Sequence, residues 1–396
     1  MDKPAAAPSP PAAAFSTGGA VAAPPRATSG AASTRAEPPD PRPRYPRAVR
    51  TWLAAGLALI FVQVVVGGVT RLTGSGLSIT KWEIVTGALP PLSEAQWLEA
   101  FALYKATPQY EKMNAGMPLA DFKFIYFWEY VHRLWARLMG LAFVVPLGVF
   151  LVRGYVDRAL GKRLALVFAA AALTASFGWI MVASGLIDRP LVNAYKLSVH
   201  LGIAFVTFGL LLWTTFFAWG GRLSAKPAPG VRRLAYATAA ALVVQILLGG
   251  VMSGMRAALF YPTWPDVGGA IVPAVVFDAA NWTLANVVNY DGHPFMAALV
   301  QVLHRTAGYV VAGLVAALAW RGLRQNPEPT LARAIVLASA LTAAQVALGI
   351  ATVVLSVGEI PVLWGVLHQA GALLLLGAVL WVVWLVRANS DGRAVA

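Results

Sequence analysis

Four imidazoles recur at matching places along this chain of 396 residues. His132, His200, His304 and His368 each fall within the first turns of a long apolar stretch, the second, fourth, sixth and eighth of eight. An ionisable ring at membrane depth is costly and usually has a partner or a task. Neutral imidazole ligates iron well, and two such rings fill both axial positions of a porphyrin. Four histidines in register therefore predict two ligand pairs, with haem as the natural occupant of each two-imidazole site between apolar helices. The fifth histidine, His293, precedes Pro294 and reads as a solvated bystander.

The surroundings of the two pairs differ. Glu129 stands three residues before His132 and so projects from the same helix face. The matching position before His304 is Gln301, which cannot exchange a proton. A carboxylate beside one site and an amide beside the other suggest that the first site reacts while the second conducts electrons. The plainer reading of Glu129 is an ion pair with Arg133, four residues on, and the two roles can coexist.

These residues need elements to position them, and composition says which. Hydrophobic residues make up 58% of the chain and charged residues 12%. A soluble chain is about a quarter charged, so this is an all-α integral membrane protein. Spans of roughly the 20 residues that a bilayer needs are expected at 51–69, 126–152, 162–184, 195–219, 231–253, 296–320, 331–355 and 363–386. The absence of cysteine excludes disulfides, iron–sulfur clusters and thiolate ligation of haem. The net charge of +14 does not point to nucleic acid, because the basic residues gather in the short loops of one face. Arg153, Arg158, Lys162 and Arg163 follow the second span, and Arg222, Lys226, Arg232 and Arg233 follow the fourth. Arg321, Arg324 and Arg333 follow the sixth, and Arg387 and Arg393 the eighth. Positive loops stay inside, so both termini are expected in the cytoplasm, with the histidines near the opposite face.

Residues 1–50, rich in Ala, Pro, Ser and Gly, read as a disordered cytoplasmic tail. A bacterial inner membrane is the expected location, with mitochondrial import as the lesser alternative. Two loops on the histidine side are long. In the first, Ser93-Glu94-Ala95-Gln96 has the capping-box pattern, and Trp97, Phe101 and Tyr104 follow at helical spacing. That predicts a short amphipathic helix against the membrane surface. The second, with Tyr261-Pro262, Trp264-Pro265 and His293-Pro294, reads as an irregular cover.

An internal repeat sets the architecture. VQVVVGGVTR from Val62 matches VQILLGGVMS from Val244, which aligns Gln63 with Gln245 and Gly67-Gly68 with Gly249-Gly250. His132-Arg133 matches His304-Arg305, and His200 matches His368. Residues 51–220 and 231–387 are thus two pseudo-symmetric four-helix bundles in the same orientation, joined by a cytoplasmic linker at 221–230 and followed by a tail at 388–396. The glycine pairs would let helices approach a porphyrin face.

The stretches GGVTRLTGSGLSITKW (Gly67 to Trp82), EYVHRLWARLMG (Glu129 to Gly140), GWIMVASGL (Gly178 to Leu186), LHRTAGY (Leu303 to Tyr309) and the LHQ at His368 resemble the haem A synthase family over about residues 50–387. The resemblance implies oxidation of a ring methyl of haem O to the formyl group of haem A, a cofactor of terminal oxidases. It implies a haem b held by His304 and His368, and substrate haem held by His132 and His200 near Glu129. It also implies haem O synthase as the source of substrate and terminal-oxidase assembly factors as neighbours, and self-association in the lipid is open. Two departures stand out: the loop cysteine pair of some members is missing, and Thr174 and Ser176 stand where a glutamine analogous to Gln345 is expected. Arg71 and Lys81 could pair with haem carboxylates or snorkel to the headgroups. A dihaem b-type electron-transfer cytochrome is the competing function, and a transporter the more distant one.

Overall fold

A computed structural model describes residues 44–81, 86–187, 189–220 and 229–388 of the chain. The N-terminal tail to residue 43, most of the linker and the C-terminal tail lie outside the described residues. Among the described residues, eight helices are long and apolar enough to cross a membrane. They are α1 (Arg47–Leu72), α2 (Leu119–Val152), α3 (Arg158–Gly185), α4 (Ala194–Trp219), α5 (Pro229–Gly254), α6 (Pro294–Leu323), α7 (Pro329–Val354) and α8 (Val362–Ala388). The chain is a multi-pass, all-helical membrane protein.

Most helices outrun the expected spans, for local reasons. Helix α1 starts at Arg47, inside the stretch read as tail. The Tyr45 hydroxyl meets both carboxylate oxygens of Asp157 at 2.8 Å, and Val49 is fully buried. Helix α2, of 34 residues, begins a turn or two before its apolar run. Its extra turns are covered by the short helix Glu94–Lys105, which has the expected capping box: Ser93 Oγ accepts from the Gln96 N–H, and Gln96 Oε1 from the Ser93 N–H. The aromatic stripe of that short helix does not simply face the membrane surface. Trp97, Phe101 and Tyr104 pack on Phe122 and its neighbours in α2, with Phe101 and Tyr104 stacked on the Phe122 ring.

Helix α1 packs on α2 and α4, and α3 on α4; the second half repeats this with α5 on α6 and α8, and α7 on α8. The halves meet through α4 against α5 and α1 against α8, so exchanging the halves maps this interface onto itself. Small residues permit the approach. A Cβ at Gly254 would lie 2.5 Å from Ala194 Cα, and one at Gly250 2.8 Å from Ser198 Cα. This is the four-residue glycine spacing by which membrane helices come close without a hydrophobic drive between them. Ser198 Oγ seals the contact by donating to the Leu247 carbonyl at 2.7 Å.

One contact has no counterpart. Helices α6 and α7 pack along each other, whereas among the described residues α2 and α3 barely touch beyond the turn that joins them. Helix α2 leans on α1 instead: Trp52 Nε1 donates to the Ala142 carbonyl and Trp135 Nε1 to the Leu59 carbonyl. The main apolar core, with Leu53, Leu160, Leu164, Val315 and Leu373 at 2% exposure or near it, fills the end of the bundle away from the long loops. The histidines lie toward the other end.

The second long loop does form an irregular cover, and it is tied to the first half. Arg189, between α3 and α4, donates to the Val288 carbonyl and pairs with Asp291 at 3.0 Å. Tyr195 donates its hydroxyl to the Val287 carbonyl, and the Ala194 N–H donates to Tyr290 Oη, both at 2.7 Å. His293 is not a bystander: its Nδ1 accepts from the Phe295 N–H and caps α6.

Candidate bis-histidine sites

Each of the four imidazoles rests against a glycine of a neighbouring helix. A Cβ at Gly67 would stand 3.1 Å from His132 Nε2, and one at Gly178 3.1 Å from His200 Cε1. In the second half a Cβ at Gly249 would meet His304 Cε1 at 3.0 Å, and one at Gly349 would meet His368 Cε1 at 3.1 Å. The repeat glycines therefore make room for the imidazole rings. Gly349 was not singled out in the sequence, although its place is signalled there: Gly178 and Gly349 stand in the same register after Thr174 and Gln345.

His304 and His368 face each other with ring centroids 6.5 Å apart. Two imidazole–metal bonds of about 2 Å each plus the ring radii span roughly 6 Å, so one metal ion fits between them. Nδ1 of both rings is buried without a hydrogen-bond partner, a state that costs free energy until something satisfies it. Gln245 Nε2 lies 3.3 Å from His304 Nε2. The residues thus fit a bis-imidazole haem, because a porphyrin brings its own equatorial nitrogens and asks only two axial ligands of the protein.

In the first half, His132 and His200 line a cavity of about 680 Å³ with Gly67, Gly178, Glu129 and Arg71. His200 Nδ1 lies 3.0 Å from the Thr174 carbonyl. An N–H there leaves Nε2 as the free lone pair, the usual way a second partner fixes a ligand's tautomer. The glutamine expected in the third span is thus replaced by a backbone group. In the second half, His368 Nδ1 is buried without such a partner.

Glu129 is 2% exposed and fully engaged. One oxygen accepts from Arg133 Nε at 3.1 Å and Nη2 at 2.5 Å; the other accepts from Ser78 Oγ at 2.7 Å and the Ile79 N–H at 2.8 Å. Arg133 also donates to the Ile79 and Lys81 carbonyls. The carboxylate both lines the cavity and pins the loop after α1 over it. Gln301 and Arg305 build the same lock in the second half, with Arg305 donating to the Thr263 and Asp266 carbonyls.

Of the two expected carboxylate partners, the structure brings only Arg71 to the cavity; Lys81 is exposed and pairs with Glu99 at 3.2 Å. Nothing in the sequence singles out Arg256. It follows α5 in the left-handed region at φ 50°, lines the same cavity, and its charge acts on that of Arg71. A second cross-half residue, Gln369, follows His368, lines the first-half cavity, and donates to the Val64 carbonyl at 2.7 Å.

Eight membrane-compatible helices, with imidazoles on the second, fourth, sixth and eighth, define a multi-pass helical membrane protein. A family model described as cytochrome oxidase assembly protein, COX15-CtaA, matches residues 50–380, and the chain belongs to that family. Relatives named heme A synthase are similar over most of their length. The one from Rhodospirillum centenum is 42% identical over 349 residues, 88% of this chain and 91% of its own. Those from Sinorhizobium medicae and Parvibaculum lavamentivorans are 43% and 41% identical, over 84% of this chain and 88% and 93% of theirs.

Proposed function

We propose that the protein is a haem A synthase of a bacterial inner membrane, an oxidoreductase that converts a ring methyl of haem O to the formyl group of haem A. The observation that supports this best is the repeated histidine constellation with unequal surroundings. His304 and His368 sit with their rings 6.5 Å apart between helices that close around them, whereas His132 and His200 line a roomy cavity between helices that part. A closed pair suits a resident haem b, and an open one suits a haem that arrives and leaves. A dihaem electron-transfer cytochrome has use for two closed sites and none for an open one.

When bound, the haem b held by His304 and His368 supplies a one-electron acceptor. The rest falls to side chains of the first half. His132 and His200 hold the substrate haem by its iron, which fixes the plane of the ring and the place of the methyl group. Arg71 and Arg256 take its two carboxylates. Glu129, beside His132, is the acidic group positioned to take protons or steer water as the methyl is oxidised, and its bonds to Ser78 and Ile79 hold the loop after α1 over the cavity. The basic short loops support an orientation with the histidines toward the non-cytoplasmic face. Haem O synthase and oxidase assembly factors are the partners this role requires.

Haem extraction from the purified protein, with identification by mass, tests the reading. The expected result is haem b together with haem O or haem A. His304→Ala should lose the haem b and His132→Ala the farnesylated haems. Protein that yields only haem b, from both halves, would instead be the electron-transfer cytochrome.

A further inference from the structure

We propose that the first-half site is loaded sideways from the bilayer, through the gap between α2 and α3, and that this gap lodges the isoprenoid tail of the substrate haem. The proposal rests on reading that half as the haem O site.

The gap is a property of one half alone. Ala136 and Gly140 on α2, and Ala171, Ala172 and Ala175 on α3, line the cavity and are exposed. With α2 and α3 apart, they edge its mouth. Among their repeat counterparts, Thr342, in the place of Ala171, is 7% exposed, and Gly308 and Ala312, in the places of Ala136 and Gly140, are half-buried, while Ala343 and Val346, in the places of Ala172 and Ala175, are exposed. What differs is the helix pair itself: α6 and α7 pack along each other, and α2 and α3 do not.

The mouth has a floor and a roof. On the short-loop side the Phe143 and Phe168 rings stack across the gap, centroids 6.3 Å apart and 20° from parallel. On the long-loop side the loop after α1 is pinned by Glu129 and Arg133, and Leu77, 2% exposed, is wedged against Gly185 at the end of α3. Among the described residues the way left open is lateral, at bilayer depth, past methyl groups and glycine. An apolar chain crosses such a rim without losing hydration, while the charged edge of the same molecule is drawn to Arg71 and Arg256 at the far end of the cavity.

The chain has no cysteine, so Gly140→Cys and Ala172→Cys can be joined across the mouth with a short bis-maleimide in nanodisc-held full-length protein. Cross-linking should slow uptake of added haem O by about tenfold or more relative to the same variant capped with a monofunctional maleimide. Cross-linking after loading should trap the haem already bound. The haem b spectrum of the second half should not change, which shows that the bundle is intact. Uptake at the same rate in cross-linked and capped protein would overturn the lateral route. Failure of the uncrosslinked protein to take up haem O through His132 and His200 would instead remove the substrate-site assignment.

Discussion

Glu129 and Gln301 occupy the same turn of their helices and hold equivalent arginines, Arg133 and Arg305, yet they bond the loops above them with opposite polarity. Glu129 accepts from Ser78 Oγ and the Ile79 N–H; Gln301 donates its amide to the Ala257 carbonyl at 2.7 Å and the Tyr261 carbonyl at 3.3 Å. The difference between acid and amide, which in the sequence reads as a division of redox labour, is therefore also a matter of which loop groups each must satisfy.

That double duty can be separated by mutation. Glu129→Gln keeps the shape but removes bonds to a charged acceptor, each of which contributes about 1.5–3 kcal/mol. We expect the variant to melt lower, to keep its haem b, and to accumulate unconverted haem O. Arg133→Gln loosens the same loop but leaves the carboxylate, and should convert more haem O than Glu129→Gln does. The ratio of haem A to haem O in extracts decides; equal ratios in the two variants would leave Glu129 as an anchor only.

The contact between the halves gives a second prediction. Gly254 and Gly250 meet backbone atoms of α4 at 2.5–2.8 Å from where a Cβ would be, so the neighbour cannot swing aside. Gly254→Val should cost about 1–3 kcal/mol or more through overpacking. It should also loosen the cover tied to the first half through Arg189 and Tyr195. Limited proteolysis of the second long loop would detect this as faster cleavage than in the parent.

The sequence discloses what repeats and little of what does not. Spans, histidines and Gly67 with Gly249 were legible because hydropathy and register mark them. The capping box at Ser93 was legible because its chemistry is local. Arg256 was not, because it follows α5 at a place where the halves have no shared pattern, and only the packing of α5 on α4 brings it to the His132 cavity. The gap between α2 and α3 was equally hidden. Alanines that line a mouth look like alanines that pack a helix, and the difference lies in whether a partner helix arrives.

At the short-loop end, burial first and then its bond to Asp157 push the Tyr45 phenol up to about 12 from 10.0. A group whose pKa is higher in the folded state contributes stability that is complete below the unfolded value and is lost as pH rises through the folded one. The start of α1 should therefore loosen between pH 10 and 12. Asp157 has the opposite sense. Burial opposes its ionisation, but the Leu160 N–H and the Tyr45 hydroxyl together hold its carboxyl below 3.8, so its contribution fades only in acid. Tyr45→Phe should melt lower at neutral pH and lose the alkaline component. Melting curves across that range, parent against variant, would show it; an unchanged alkaline slope would place the sensitive group elsewhere.

Arg71 and Arg256 pose a problem that an anion solves. Two guanidiniums share one wall of a cavity, the Arg71 Nε is buried with no partner, and burial pushes the Arg256 guanidinium below its ordinary range. Arg256 is also held in the left-handed region, which costs a side-chain-bearing residue free energy and is tolerated where the position matters. Arg71 lies one turn, about 6 Å, beyond Gly67 and hence beyond the His132 ring, toward the edge where a porphyrin's two carboxylates would project. A charge-assisted bond lost with Arg256→Gln is worth about 1.5–3 kcal/mol, so haem O affinity should fall about 10- to 150-fold. The dimethyl ester of haem O has no charge to offer and should bind parent and variant alike. Spectral titration of both ligands into both proteins separates the two cases. If the ester loses as much affinity as the acid, Arg256 shapes the cavity and does not pair with the carboxylates.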